Sequence, residues 1–274
     1  MNGIRAAGVA DAVPPTWILQ TGGIAALLLA AGYLATIPLF AIVGAPPEGA
    51  QARLEYHMTG TTAWWGIVAL SVLTDLLFVP VAISLYTALR RSNQPAMLIA
   101  TAFTLLFVVL DLAVLWPAKA SLVTLGEAYA AATSDQRVLL LAAAGYPSAV
   151  LDSSLTAVYS ILTLSIGILG TGLVMLRGGF GPAPALVGVT SEVLGIASVM
   201  ETAVTGRFPI LVVGASLLTI MWLVLVGRGL IRYFGPVPDA LYPDAVSGVV
   251  LRIDPERTRA SDSAHDLAAL GGQE

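Results

Sequence analysis

The stretch AWWGIVALSVLTDLLFVPVAISLYTAL (63–89) carries one charged residue, Asp75. Its apolar run is continuous and does not alternate, so it does not read as a membrane barrel strand. It is longer than the roughly 20 helical residues needed to cross a ~30 Å hydrocarbon core. A helix also satisfies its own backbone polar groups where water is absent. This segment therefore reads as a membrane-spanning helix, and Arg90 and Arg91 close it at one end.

Five further runs read the same way, at about 17–43, 97–117, 149–176, 183–203 and 209–231. The predicted fold is all-α, a polytopic bundle of six transmembrane helices. Composition agrees. The 274 residues are 57% hydrophobic and 11% charged, against about 25% charged in soluble domains, and mean hydropathy is +0.86. A soluble domain or a disordered chain is excluded. The lack of Cys excludes a disulfide scaffold, and a net charge of −4 argues against nucleic acid as a partner. The lipid bilayer is the expected partner. The first run starts at Trp17, is long, and lacks a cleavage site, so it does not read as a signal peptide. The expected organisation is a polar segment over 1–16, a membrane domain over 17–232 and a flexible tail over 233–274.

Six spans put the N-terminus, the 2–3 loop, the 4–5 loop and the C-terminus on one side. That side holds Arg5, Arg90, Arg91, Arg177, Arg228 and Arg232, and the other holds Arg53, Lys119, Arg137 and Arg207. The excess predicts cytoplasmic termini. Trp64, Trp65 and Trp116 are then expected at the outer interface and Trp17 at the inner one. Twelve Arg against one Lys, with abundant Ala and Gly, suggests a GC-rich genome and hence a bacterial inner membrane. The 3–4 loop, 118–148, reads as two short amphipathic helices on the outer face. Leu122, Leu125, Ala128 and Tyr129 recur at helical spacing. Thr133 and Gln136 have the capping-box spacing that starts a second helix, running to about Gly145.

The functional lead lies in the acids inside spans. A carboxylate at membrane depth is costly, so it faces protein, a proton or a partner. Asp75 and Glu192 fall near the middle of spans 2 and 5, Asp111 in the outer half of span 3, and Asp152 and Glu201 near outer span ends. No Lys or Arg lies at matching depth on this reading. Thr101, Thr104, Val108 and Asp111 share one helical face, as do Asp152, Thr156, Tyr159 and Thr163. Gly188, Glu192 and Gly195 share another, which lets Glu192 face a neighbouring helix closely. Pro80 is expected to bend span 2. Asp75 and Glu192 each sit in the second span of a three-helix half, although the halves show no residue-level similarity.

Catalytic motifs of the HExxH, GxSxG, P-loop and CxxC kinds are absent from the sequence. No catalytic residue, metal site or cofactor is expected. DLLFVPVAISLYTALRRSN (75–93), DLAVLWPAKASLVTLGEAYAAATSDQRVLLLAAA (111–144) and GGFGPAPALVGVTSEVLGI (178–196) together resemble a family of bacterial six-helix membrane proteins known only as a domain of unknown function. The resemblance covers about 17–232, implies six helices, and supplies no catalytic residues. The expected function is an acid-lined, outward-facing site for a proton, a cation or a small solute, built from Asp75, Asp111 and Glu192 with Asp152 at its mouth. The alternatives are a structural membrane protein with its acids as interhelical glue, and a metal-dependent lipid-modifying enzyme.

Overall fold

The computed structural model describes residues 16–44, 47, 49–178, 180–205 and 210–233. Apart from Thr16 and Tyr233, the expected N-terminal segment and tail lie outside the described residues, as do Pro46, Glu48 and Arg207. The described chain is helical: α1 (Thr16–Val43), α2 (Ala50–Met58), α3 (Thr61–Leu89), α4 (Gln94–Leu110), α5 (Trp116–Ala131), α6 (Ser134–Asp152), α7 (Ser154–Ala157), α8 (Thr163–Met175), α9 (Pro182–Thr205) and α10 (Ile210–Tyr233). A π-helical turn, Asp111–Leu115, joins α4 to α5, and a second, Val158–Leu162, joins α7 to α8. Six segments are long and apolar enough to cross a membrane. The fold is a six-helix membrane bundle.

The spans pack as a closed ring. Its order is α1, α3, α4, α8, α9, α10 and back to α1. Small residues set the seams. A Cβ on Gly22 of α1 would lie 2.0 Å from Ser84 Oγ of α3, and one on Gly167 of α8 would lie 2.3 Å from Thr104 Oγ1 of α4. Gly23 and Gly227 bring the backbones of α1 and α10 together. Ser84 Oγ also donates to Ile18 O at 2.7 Å, which ties the start of α1 to the end of α3. Asn93 caps α4 through Ala96 N, and α3 runs unbroken through Pro80.

Spans 3 and 4 depart from the expected boundaries. Span 3 does not stop at 117. It continues as one 38-residue helical segment, Gln94–Ala131, about 57 Å long at 1.5 Å per residue. In a regular α-helix the Pro117 ring would collide with the carbonyl four residues back. The π-turn widens the backbone there, with Trp116 N–H bonded to Asp111 O, five residues back. The first amphipathic helix expected in the 3–4 loop is therefore the far half of span 3, and Lys119 belongs to a spanning helix. The second is α6. Its capping box at Thr133 and Gln136 is present, but α6 runs on through Pro147 to Asp152. Span 4 starts at Ser154 and not at 149. Ser153 adopts an extended conformation and its side chain accepts from Leu155 N at 3.2 Å. That break and the second π-turn rotate the chain, so Asp152, Thr156, Tyr159 and Thr163 do not form one stripe.

At one end of the ring, α2, α5 and α6 pack together as a cap. Leu54, Leu122 and Ala144 form its core, joined by Leu125, Tyr129 and Leu151. The helix α2 was not expected from sequence. Gly60, at φ 72°, reverses the chain between α2 and α3, and a Cβ on Gly126 of α5 would press on the α2 backbone at 3.2–3.4 Å. Trp64 and Trp116 are buried rather than interfacial. They belong to the cluster that joins the cap to the spans. Trp17 and Trp65 are exposed.

Candidate functional site

Asp75 and Asp111 come together where the cap meets the spans. Asp75 stands midway along α3 and is 3% exposed, and Asp111 opens the first π-turn and is 4% exposed. Trp116 Nε1 donates to Asp75 Oδ2 at 2.6 Å. Ser160 Oγ, in the second π-turn, donates to Asp111 Oδ1 at 2.8 Å. The two π-turns touch. Each turn shifts the phase of its helix, which brings an inward polar side chain opposite one on its neighbour. The two carboxylates are within electrostatic reach of each other.

A basic residue packs beside this pair: Lys119 lies on the ring of Trp116, the residue that donates to Asp75. Lys119 acts on both Asp75 and Asp111. Its Nζ lies 4.4 Å from the centroid of the Trp116 ring and 5.9 Å from that of Phe40 of α1. The indole of Trp116 thus offers its edge N–H to a carboxylate and its face to an ammonium, the two polarities of an aromatic ring.

Glu192 stands apart from that pair. It is 4% exposed in the middle of α9. Ser191 Oγ and Thr219 Oγ1 donate to Glu192 Oε1 at 3.1 and 3.3 Å, and Ser165 of α8 supplies a further hydrogen bond. Gly188 and Gly195 clear room on either side, against Trp222 of α10 and Ser165 of α8. Glu192 does face protein, held by hydroxyls from three helices. Tyr33 of α1, which sequence reasoning missed, is within electrostatic reach of Asp75, Asp111 and Glu192 alike. It packs on Phe78, with ring centroids 6.3 Å apart.

Asp152 lies elsewhere. It ends α6 on the cap, is 44% exposed and forms an ion pair with Arg53 of α2. The cap folds Arg53 back onto it, so it is neither inside span 4 nor without a basic partner. Glu201 is half-buried near the end of α9. His57 of α2 is buried. It stacks on Trp64 at 4.4 Å, and its Nδ1–H donates to Arg53 O at 2.7 Å. Burial holds the imidazole below its ordinary value of 6.5. The bond to Arg53 O opposes this, while the charges of Lys119 and Arg53 add to it.

A groove of about 800 Å³ runs between α5 and α6, lined by Ala113, Pro117, Ser121, Tyr146, Pro147 and Val150 among others, and none of the candidate acids lines it. Among the described residues, no three His, Cys, Asp or Glu side chains are grouped so as to hold a metal ion.

Fold and site together define a class: a six-span membrane bundle with a buried charged cluster of two carboxylates and one ammonium beneath a helical cap. No family model, curated protein or solved structure matches the chain. The resemblance to the uncharacterised bacterial family thus rests on its three sequence stretches alone.

Proposed function

We propose that the protein binds a proton or a small monovalent cation at the Asp75–Asp111 pair, in a bacterial cytoplasmic membrane with both termini in the cytoplasm. One observation carries this reading. Two buried carboxylates stand on helical segments that touch, and Trp116, which donates to one of them, carries the Lys119 ammonium on its ring face. Two negative charges and one positive leave one negative charge uncompensated. In a low-dielectric interior an unpaired ion costs several kcal/mol, and a proton or a monovalent cation removes that cost. The arginines at the ends of α3, α8 and α10 favour the cap as the outer end, and the pair lies where that cap meets the spans. Membership of the uncharacterised bacterial six-helix family belongs to the same proposal.

A second reading applies at Glu192. It faces hydroxyls on α8, α9 and α10, the pattern of interhelical glue. A metal-dependent lipid-modifying enzyme is disfavoured, because among the described residues the acids come together at most as a pair, with no third His, Cys, Asp or Glu beside them.

The test is the melting of purified protein, titrated with pH and with Na⁺ or K⁺. Wild type and Glu192→Gln should share a dependence on proton or cation concentration that Asp75→Asn and Asp111→Asn lose. If all four proteins respond alike, the reading fails.

A further inference from the structure

Lys119 is the one lysine in the chain. The Asp111–Leu115 π-turn carries the helix past Pro117 and so brings Lys119 into the field of the acids. Its ammonium rests against two aromatic faces, Trp116 and Phe40, both within the distance at which a ring attracts a cation. Among the described residues it forms no direct ion pair with either carboxylate. The charged groups acting on it are Asp111, Asp75 and Arg53, and it acts on His57. Arg53 already has Asp152 as its partner. Lys119 therefore supplies a positive charge to the carboxylate pair without being locked to it, on a flexible four-carbon stem.

We infer that Lys119 is a tethered competitor for the site, and that small primary ammonium ions are the ligand class the site matches best. The features that hold the Lys119 ammonium, aromatic faces beside buried carboxylates, are those that would hold a free one of the same chemistry. An alkali cation gains from the carboxylates but has no N–H to donate to them. A free ammonium that enters takes over the counter-charge role, and the Lys119 head swings away. Binding thus exchanges one cation for another near the pair. The inference rests on the reading of Asp75 and Asp111 as the binding pair.

Methylammonium is the simplest probe. In calorimetric titration of the full chain in nanodiscs, Lys119→Met should bind methylammonium about tenfold or more tighter than wild type. Adding Asp75→Asn to Lys119→Met should abolish that binding. Equal affinity in wild type and Lys119→Met overturns the inference, and so does the absence of methylammonium binding in Lys119→Met. Either result leaves the carboxylate reading standing if Asp75→Asn and Asp111→Asn still abolish the melting response to proton or Na⁺. A second measurement needs no substitution at Lys119. Reductive ¹³C-methylation keeps its charge and yields one lysine NMR signal. Methylammonium should shift that signal in wild type and leave it unmoved in Asp111→Asn. A signal that methylammonium does not move in wild type overturns the inference independently.

Discussion

Trp116 Nε1 donates to Asp75 Oδ2 at 2.6 Å, and this bond ties the middle of α3 to the helix that carries Lys119. It is the direct link between one acid of the pair and the aromatic wall behind the ammonium. Trp116→Phe keeps the ring face and removes the donor. An unsatisfied buried acceptor costs about 1–3 kcal/mol, more when charged. Trp116→Phe should therefore lower the melting temperature, and Asp75→Asn should reduce that cost when combined with it. A double-mutant cycle by thermal unfolding reads the coupling. Strict additivity would show that the bond does not matter.

Glu192 should behave differently. Glu192→Gln retains an oxygen that can accept from Ser191 and Thr219, and its stability should stay within about 1 kcal/mol of wild type. Glu192→Leu removes the acceptor while Ser191 and Thr219 keep Ala215 O, and the lost bonds should cost about 1 kcal/mol or more. Equal effects of the two substitutions on unfolding would contradict the glue reading.

The seams between spans depend on missing side chains. Gly22→Leu would drive atoms into Ser84, and Gly167→Leu into Thr104. Both should sharply reduce the yield of folded, monodisperse protein in size-exclusion chromatography. Gly145 lies inside α6, where an added Cβ would meet nothing within 4 Å. Gly145→Ala should be neutral or stabilise by about 0.4–1 kcal/mol.

His57 gives the cap a pH dependence. Its folded value is depressed below 6.5, so the unfolded state binds more protons in the window just below 6.5. Stability is then fully present above about 6.5 and falls as pH drops through the folded value. The groups around the ring are Tyr56, Trp64, Arg53 and Lys119. Protection factors in α2, corrected for the intrinsic exchange rate at each pH, should fall on acidification from pH 7, and His57→Gln should flatten that slope. An unchanged slope in His57→Gln would assign it to another group.

The six spans were legible because hydrophobic runs report directly on the solvent around them. Four of the six predicted boundaries agree with the helices to within about two residues. Spans 3 and 4 differ for a local reason. Sequence periodicity assumes an α-helical phase, and a π-turn at Asp111 and another at Val158 shift that phase without a compositional mark. The burial of Asp75, Asp111 and Glu192 was legible from the cost of charge in lipid. Their grouping was not, because it depends on the ring order of the helices. Lys119 fell just beyond the predicted end of span 3 at 117, in what read as the 3–4 loop. Arg53 and Asp152 are 99 positions apart, and their pairing follows from the cap, whose α2 carried too little periodicity to be seen.

The central claim is that the Asp75–Asp111 pair carries one uncompensated charge and holds a proton when no cation is bound. Infrared spectroscopy of the carboxyl C=O stretch tests it most directly, at neutral pH and low salt, in wild type, Asp75→Asn, Asp111→Asn and Glu192→Gln. The account predicts a protonated-carboxyl component in wild type that persists in Glu192→Gln, is missing from both Asp variants, and is lost when a monovalent cation binds, while any component owed to Glu192 stays in the Asp variants. A band that loses no component in either Asp variant and vanishes only in Glu192→Gln would contradict it.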